Sequence, residues 1–208
     1  LLPLDDRVAG LLARGAHDEA TTLILEELGP EMFRFLAARL RDIALATDAF
    51  SRFSENVWRG VPNFSAKSSV RVWAYAVARN AAGQELRGNK RHRENRSDFS
   101  ESMASQVAER IRTETVAWHR TAVKDRFAAL QEELDQEERE LLFLRVNQKL
   151  GWDEIAKVQA GDDAGTTELK REAARLRKRF QLTRAKLRKL ASEKGLLGDG
   201  EEGPSSDG

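Results

Sequence analysis

Residues 64–93 read "FSAKSSVRVWAYAVARNAAGQELRGNKRHR". The stretch joins a Ser-rich loop to an Ala-rich run with two aromatics, a basic tail and a single acid, Glu85. On a helix from about Val70 to Leu86, the residues Val70, Trp73, Ala74, Val77 and Ala81 recur at three- and four-residue steps and predict a buried face. Arg71, Tyr75 and Arg79 form a separate i, i+4 row, predicted to point away from it. Asn80 lies on the flank between, in line with Val72 and Ala76. Two readings follow. In one, Trp73 and Phe64 are core residues and the Ser pair caps the helix. In the other, Phe64, Ser65, Lys67, Ser68 and Ser69 lead into a surface that holds single-stranded nucleic acid, by stacking on aromatics and tracking phosphates with cations.

Working outward, the rest of the chain is written in the same helical idiom. Of its 208 residues 33% are charged and 40% apolar, and only 4 are Pro. Charged residues are above the usual share of about 25%. Long runs of Ala, Leu, Glu, Arg and Lys favour helix, so the expected fold class is all-α. Residues 4–28 predict helix in two pieces, broken near Gly15 and ended by Gly29 and Pro30. Phe33, Leu36, Leu40 and Ile43 then make one apolar stripe. Phe50, Phe53 and Val57 make another, closing at Gly60 and Pro62. With the helix from Val70, these predict a compact bundle over 1–87. Residues 88–106, "GNKRHRENRSDFSESMASQ", break the periodicity, and 88–121 is expected to be a flexible linker. Residues 122–194 form a second helical unit, and 195–208 an acidic, disordered tail.

The second unit carries a recognisable grammar. "GWDEIAKVQAGDDAGTTELKREAARLRKRF", residues 151–180, reads as helix, Gly-containing turn and long helix, a helix-turn-helix candidate. Thr166 is expected to cap the long helix. Leu169, Ala173, Leu176, Phe180, Thr183, Leu187 and Leu190 make one stripe of that helix. Arg171, Arg175, Lys178 and Arg179 project from the opposite side, and Lys170 flanks the stripe. From Thr166 to Lys194 there are eleven Lys/Arg against three Glu. Such density suits polyanion binding, with residues near the helix start reaching base edges and those farther along holding phosphates. The same stripe also fits a short coiled coil with a solvated basic face. The six-residue turn is longer than the usual three or four.

Both units resemble one family. "FRFLAARLRD" with "WRGVPNFSAKSSVRVWAYAVARNAA" resembles region 2 of the extracytoplasmic-function sigma factors, in the sigma-70 family. "LDQEERELLFLRVNQKLGWDEIAKVQ" with "GTTELKREAARLRKRF" resembles their region 4. The similarity spans about 33–87 and 130–190. It implies two small helical domains on a flexible linker, acting as a promoter-specificity subunit of bacterial RNA polymerase. The first domain would open the −10 element and capture an unpaired base, through Phe64, Ser65, Lys67, Ser68, Ser69, Arg71, Trp73, Arg79 and Asn80. The second would read the −35 element as duplex, through Thr166, Thr167, Lys170, Arg171, Arg175 and Lys178. Asp48, Glu55 and Trp58 would dock on core RNA polymerase. In "ATDAFSRFSENVW", Thr47 and Arg52 stand where the family commonly has acids, which thins that contact. The implied partners are core RNA polymerase, promoter DNA and an anti-sigma factor.

Other classes fit less well. No Cys is present, so thiolate metal sites and disulfides are excluded. The absence of Cys fits a reducing compartment. His17, His92 and His119 are scattered, and no nucleophile–base spacing or phosphate-binding Gly loop occurs, so no enzyme, cofactor or metal is expected. Asp162 and Asp163 read as turn residues beside Gly. The acidic run 132–140 reads as a helix start favoured by the macrodipole. No run reaches the roughly 20 apolar residues of a membrane span, and "LLPLDDRV" lacks signal-peptide order. The expected location is cytoplasmic. Two alternatives remain: a helix-turn-helix regulator without productive polymerase docking, and a module that dimerises through the 169–190 heptads.

Overall fold

The computed structural model describes residues 2–88, 97–100, 102–121, 132–161 and 163–194. Among the described residues the regular structure is all helical. The elements are α1 (Leu4–Ala13), α2 (His17–Leu40), α3 (Ile43–Gly60), α4 (Val70–Leu86), the short α5 (Ser97–Ser100), α6 (Met103–Thr121), α7 (Gln136–Leu142), α8 (Trp152–Ala160) and α9 (Thr166–Glu193). A 3-10 turn, Val61–Asn63, leads out of α3, and a π turn, Phe143–Asn147, extends α7.

The break near Gly15 and the bounds of α4 fall where the sequence predicts them. The expected stop at Gly29 and Pro30 does not. Instead, α2 runs through both residues. Pro30 is exposed, while Ile24, Leu25, Leu28, Met32, Phe33, Phe35 and Leu36 continue a buried stripe on either side. That burial, at about 1.5–3 kcal/mol per large side chain, outweighs the roughly 3 kcal/mol an interior Pro costs. Gly29 has a packing role. A Cβ there would stand 2.7 Å from Ile111 Cδ1, so the missing side chain lets α6 approach α2. The stripe from Phe33 to Ile43 is also interrupted, because Arg41 caps α2 in the left-handed region and Asp42 caps α3 by accepting from Leu45 N–H.

The core is aromatic where α2, α3 and α4 meet. Phe33 packs edge-on to Phe50, Phe50 lies against Phe53, and Phe35 meets Tyr75 at 5.1 Å between ring centroids. The segment expected to be linker contributes to this core. Ala104, Val107, Ala108 and Ile111 of α6 are buried against α2 and α3. The parts expected as linker at 89–96, as helix around Phe127 and as tail at 195–208 lie outside the described residues.

The second unit packs on the first: α4 lies against α8 and α2 against α7, with Phe143 5.7 Å from Phe35. A capping box starts α7. Asp135 accepts from Glu138 N–H at 2.8 Å, and Glu138 accepts from Asp135 N–H at 2.9 Å. Arg179 also binds the Asp135 carboxylate at 2.7 Å. Partial burial raises the Asp135 pKa, but the Glu138 N–H and Arg179 outweigh it and hold the carboxyl below its usual value. The sign is that of a depressed acid. Its stabilisation is present above the unfolded pKa and is lost as pH falls through the folded one. Asp135→Ala is expected to cost about 1 kcal/mol at neutral pH, and urea titrations should show that difference shrinking in acid.

Candidate nucleic-acid interface

Three elements position the first set of candidate residues: the loop 64–69, helix α4, and the residues of α2 behind it. Ser69 caps α4, its Oγ accepting from Val72 N–H at 3.3 Å. Asp5 of α1 accepts from Val70 N–H at 2.6 Å. Phe64 and Trp73 pack tilted at 53°, 5.2 Å between centroids, and both are half-buried. Trp73 lies over Gly60, where a Cβ would be 2.9 Å from its Cζ2. Loop and helix start border a cleft of about 660 Å³, lined by Asp5, Leu12, Phe64, Ser65, Ser68 and Lys157 among others.

The faces of α4 differ from the sequence expectation. Tyr75, expected to point outward with Arg71 and Arg79, is fully buried, while Trp73 and Val77 are only half-buried. The deepest face holds Val70, Ala74, Tyr75, Ala78, Ala81 and Ala82. Small Ala side chains let α4 sit close to its neighbours, and that leaves room for Tyr75 inside. Its hydroxyl donates to Glu31 Oε1 at 2.7 Å, so the buried polar tip is satisfied. Burial first, and Glu31 second, push its pKa far up, and the phenol stays neutral. Arg71 also donates to Glu31, at 2.7 Å.

Each cation of this set meets a group from the second unit. Arg71 Nη2 donates to Gln148 at 2.6 Å, Arg79 Nε to Glu140 at 2.9 Å, and Lys67 Nζ to Asp163 at 2.7 Å. Lys157 donates to the Lys67 carbonyl at 3.0 Å. Glu140 is fully buried and pairs with Arg39 as well as Arg79. Burial, then the charge of Arg79, push the Arg39 pKa down to about 10. It therefore remains charged at neutral pH. Asn80 is exposed, as are Ser65 and Lys67. Sequence reasoning missed Glu31, Arg39 and Glu140. Only the placing of Glu140 directly before the apolar run "LLFL" could have hinted at the last.

The second set starts α9. Gly165 occupies the N-cap, so Thr166 is the first helical residue and makes no side-chain cap, contrary to expectation. The reason is geometric: Gly165 already has the extended cap conformation, and Thr166 enters the helix. Thr166, Thr167, Lys170, Arg171, Arg175 and Lys178 are all exposed. Arg175 is held by Glu172 at 2.7 Å and Gln159 at 3.0 Å. Glu172 is the first cause of its raised pKa. Lys170, Arg171 and Lys178 have no ion pair among the described residues. Of the stripe, Ala173, Leu176 and Thr183 are buried against α7 and α8. The heptad surface is thus partly used within the chain.

The third set lies on α3, and its members differ in exposure. Asp48 is exposed, but Glu55 is buried and paired with Arg59 at 2.6 Å. Trp58 is half-buried, donating to Asp18 at 2.7 Å and lying 6.0 Å from the Phe99 ring. Arg52, the cation in the thinned acidic stretch, binds Glu85 at 2.5 Å and ties α3 to α4. Asp48, Glu55 and Arg112 of α6 border a cleft of about 250 Å³. Among the described residues no group of His, Asp and Glu could hold a metal ion, and no helix is long and apolar enough to cross a membrane.

Residues 24–92 match the family model described as sigma-70 region 2. That segment runs from within α2 to just beyond α4 and contains the whole first candidate set. The similarity is to the sigma-70 family, whose proteins are transcription initiation factors. Region 2 of that family binds core RNA polymerase and −10 promoter DNA. Searches of curated proteins and of solved structures returned no match.

Proposed function

We propose that the chain is an extracytoplasmic-function sigma factor that directs RNA polymerase to promoters. The observation that carries the reading is the region 2 match over 24–92, which coincides with the loop 64–69 and α4. On this reading the Phe64–Trp73 pair and the adjoining cleft receive an unstacked base. Lys67, Arg71 and Arg79 track phosphates, and Asn80 meets a base edge. The helix-turn-helix of α8 and α9 acts as region 4, with the exposed Thr166, Thr167, Lys170, Arg171 and Lys178 entering the −35 major groove. Asp48 and Trp58 contribute to polymerase docking, in the cytoplasm. Arg52, engaged with Glu85, explains how an acid is dispensable at that position: the site serves helix packing.

The two halves have separable tasks. Arg171→Ala is expected to weaken −35 duplex binding by roughly 10-fold, within the 1–3 kcal/mol of one base contact, and leave opening intact. Asn80→Ala is expected to leave closed-complex formation intact and slow opening. Permanganate footprinting and filter binding on one promoter separate the steps. Wild-type behaviour of both variants in both assays would sink this division of roles.

The thinned acidic stretch favours a second reading, a regulator that binds DNA through α9 without polymerase. Pull-down with core enzyme distinguishes it.

A further inference from the structure

We propose that α9 beyond its reading turn is a phosphate-holding arm: Arg177, Arg184, Arg188 and Lys189 grip the duplex backbone outside the bases read by the helix start, whatever the sequence there. The inference rests on the promoter reading of α9, which supplies duplex DNA as the partner. Its evidence is the way ion pairing divides the cations of this helix. On the side facing α7 they are neutralised within the chain. Arg179 binds Asp135 at 2.7 Å and Glu137 at 3.0 Å, and Lys186 binds Glu138 at 3.0 Å. Arg175 beside them is held by Glu172. On the outward side, Lys170, Arg171, Arg177, Lys178, Arg184 and Arg188 are exposed and have no ion pair among the described residues. Lys189 meets the exposed Glu193 at 3.8 Å, a contact that contributes little.

At about 100° per residue the outward cations fall into two adjacent rows. Lys170, Arg177, Arg184 and Arg188 make the first, and Arg171, Lys178 and Lys189 the second. No acid stands in either row, while Glu168 and Glu172 lie toward the side of Arg175 and Arg179. A solvated helix face mixes both signs, as the α7 side does, but the outward side carries one sign along its length. The macrodipole favours cations only in the last turn, and Arg177, Arg184 and Arg188 all precede it. From Lys170 to Arg188 the first row spans about 27 Å, at about 1.5 Å of rise per residue. The major groove is about 12 Å wide and winds around the duplex. A helix of that length cannot follow the winding. With its start on the bases, it has left the groove by Arg184 and lies over the flanking backbone. Cations there meet phosphates, which fix register and carry no sequence information.

The distal cations are separate from the base-reading set, so the full chain can be tested without touching that set. Arg184→Gln, Arg188→Gln and Lys189→Gln together keep strong helix formers on an exposed face and remove three phosphate contacts. Binding to a random-sequence duplex is followed by fluorescence anisotropy at a series of salt concentrations. The slope of log affinity against log salt is expected to become shallower by about 2.7 in the triple variant. The advantage of the unaltered chain should therefore grow about 40-fold as salt falls from about 200 mM to about 50 mM. Arg184→Lys with Arg188→Lys, which keeps both charges, should hold the original slope. An equal slope in the Gln variant overturns the inference. A loss confined to a promoter fragment, with random duplex bound as before, overturns it too, because the arm would then be reading bases. An unaltered chain that binds no random duplex at any salt also overturns it. Run-off transcription with core polymerase separates this failure from that of the promoter reading. Protein-dependent start sites with an unchanged slope sink the arm alone. No start sites, with the slope reduced as expected, keep the arm and sink the promoter reading.

Discussion

A chain carrying Glu140→Ala is expected to lose about 3–5 kcal/mol from its closed state, the cost of breaking a buried ion pair from one side. Glu140 is fully buried between Arg39, 8% exposed, and Arg79. Removing its carboxylate leaves two like charges facing each other, with Glu137 the remaining carboxylate that acts on both, beside a third cation, Arg139, that donates to the Arg39 carbonyl at 3.2 Å. The protein has two ways to respond. It can stay closed and bear the full cost, or separate the two units and return both guanidiniums to water. The second limits the loss to the free energy of docking. Thermal unfolding should therefore change from one transition toward two, and hydrogen exchange should speed up on α4 and α7 first. Removing all three charges, with Arg39→Met, Arg79→Leu and Glu140→Leu, should recover most of the loss, because an apolar replacement of a buried ion cluster is often neutral or stabilising. A single unshifted transition in the Glu140→Ala chain would mean that Glu140 does not hold the units together.

Phe35→Ala is expected to cost about 3–5 kcal/mol, the range for deleting a buried ring. Phe35 is fully buried. One side of its ring meets Tyr75 at an interplanar angle of 85°, and another meets Phe143 at 58°. The ring therefore belongs to the α2–α4 core and to the seam with the second unit at once. Loss of the ring also loosens Tyr75, whose hydroxyl shares Glu31 with Arg71. Phe35→Leu, which refills much of the volume, should lose no more than about half as much. Guanidinium titrations of the three chains at one temperature check the ordering. Equal midpoints for Ala and Leu would show that the surroundings collapse into the space.

Much of this architecture is legible in the sequence because it is local. The cap at Ser69, the break near Gly15 and the four-and-three spacing of Phe50, Phe53 and Val57 depend on residues within a turn or two. The helix-turn-helix order of 151–180 is local in the same sense. What escaped was set by partners distant in the chain. Nothing near Gly29 announces that Ile111 will need its space, so a helix that continues looks like one that stops. Tyr75 shares a spacing with Arg71 and Arg79, and the partners that hold it inside, Phe35 and Glu31, lie forty and forty-four residues away. Glu140 ends a run of acids that reads as a charged helix start favoured by the macrodipole. Arg39 and Arg79 turn it into the most buried charge of the candidate site. Periodicity reports which face is apolar on average, while a buried ion cluster is defined by geometry alone.

The family match lies on 24–92, and on the proposed reading the chain initiates transcription. The most direct measurement is run-off transcription by purified core RNA polymerase on a library of genomic promoter fragments, with and without the protein. Discrete start sites that depend on the protein are expected, preceded by two shared sequence elements at the −10 and −35 spacings. Binding of the protein to those fragments with no start sites would contradict that reading, and would leave a DNA-binding regulator in its place.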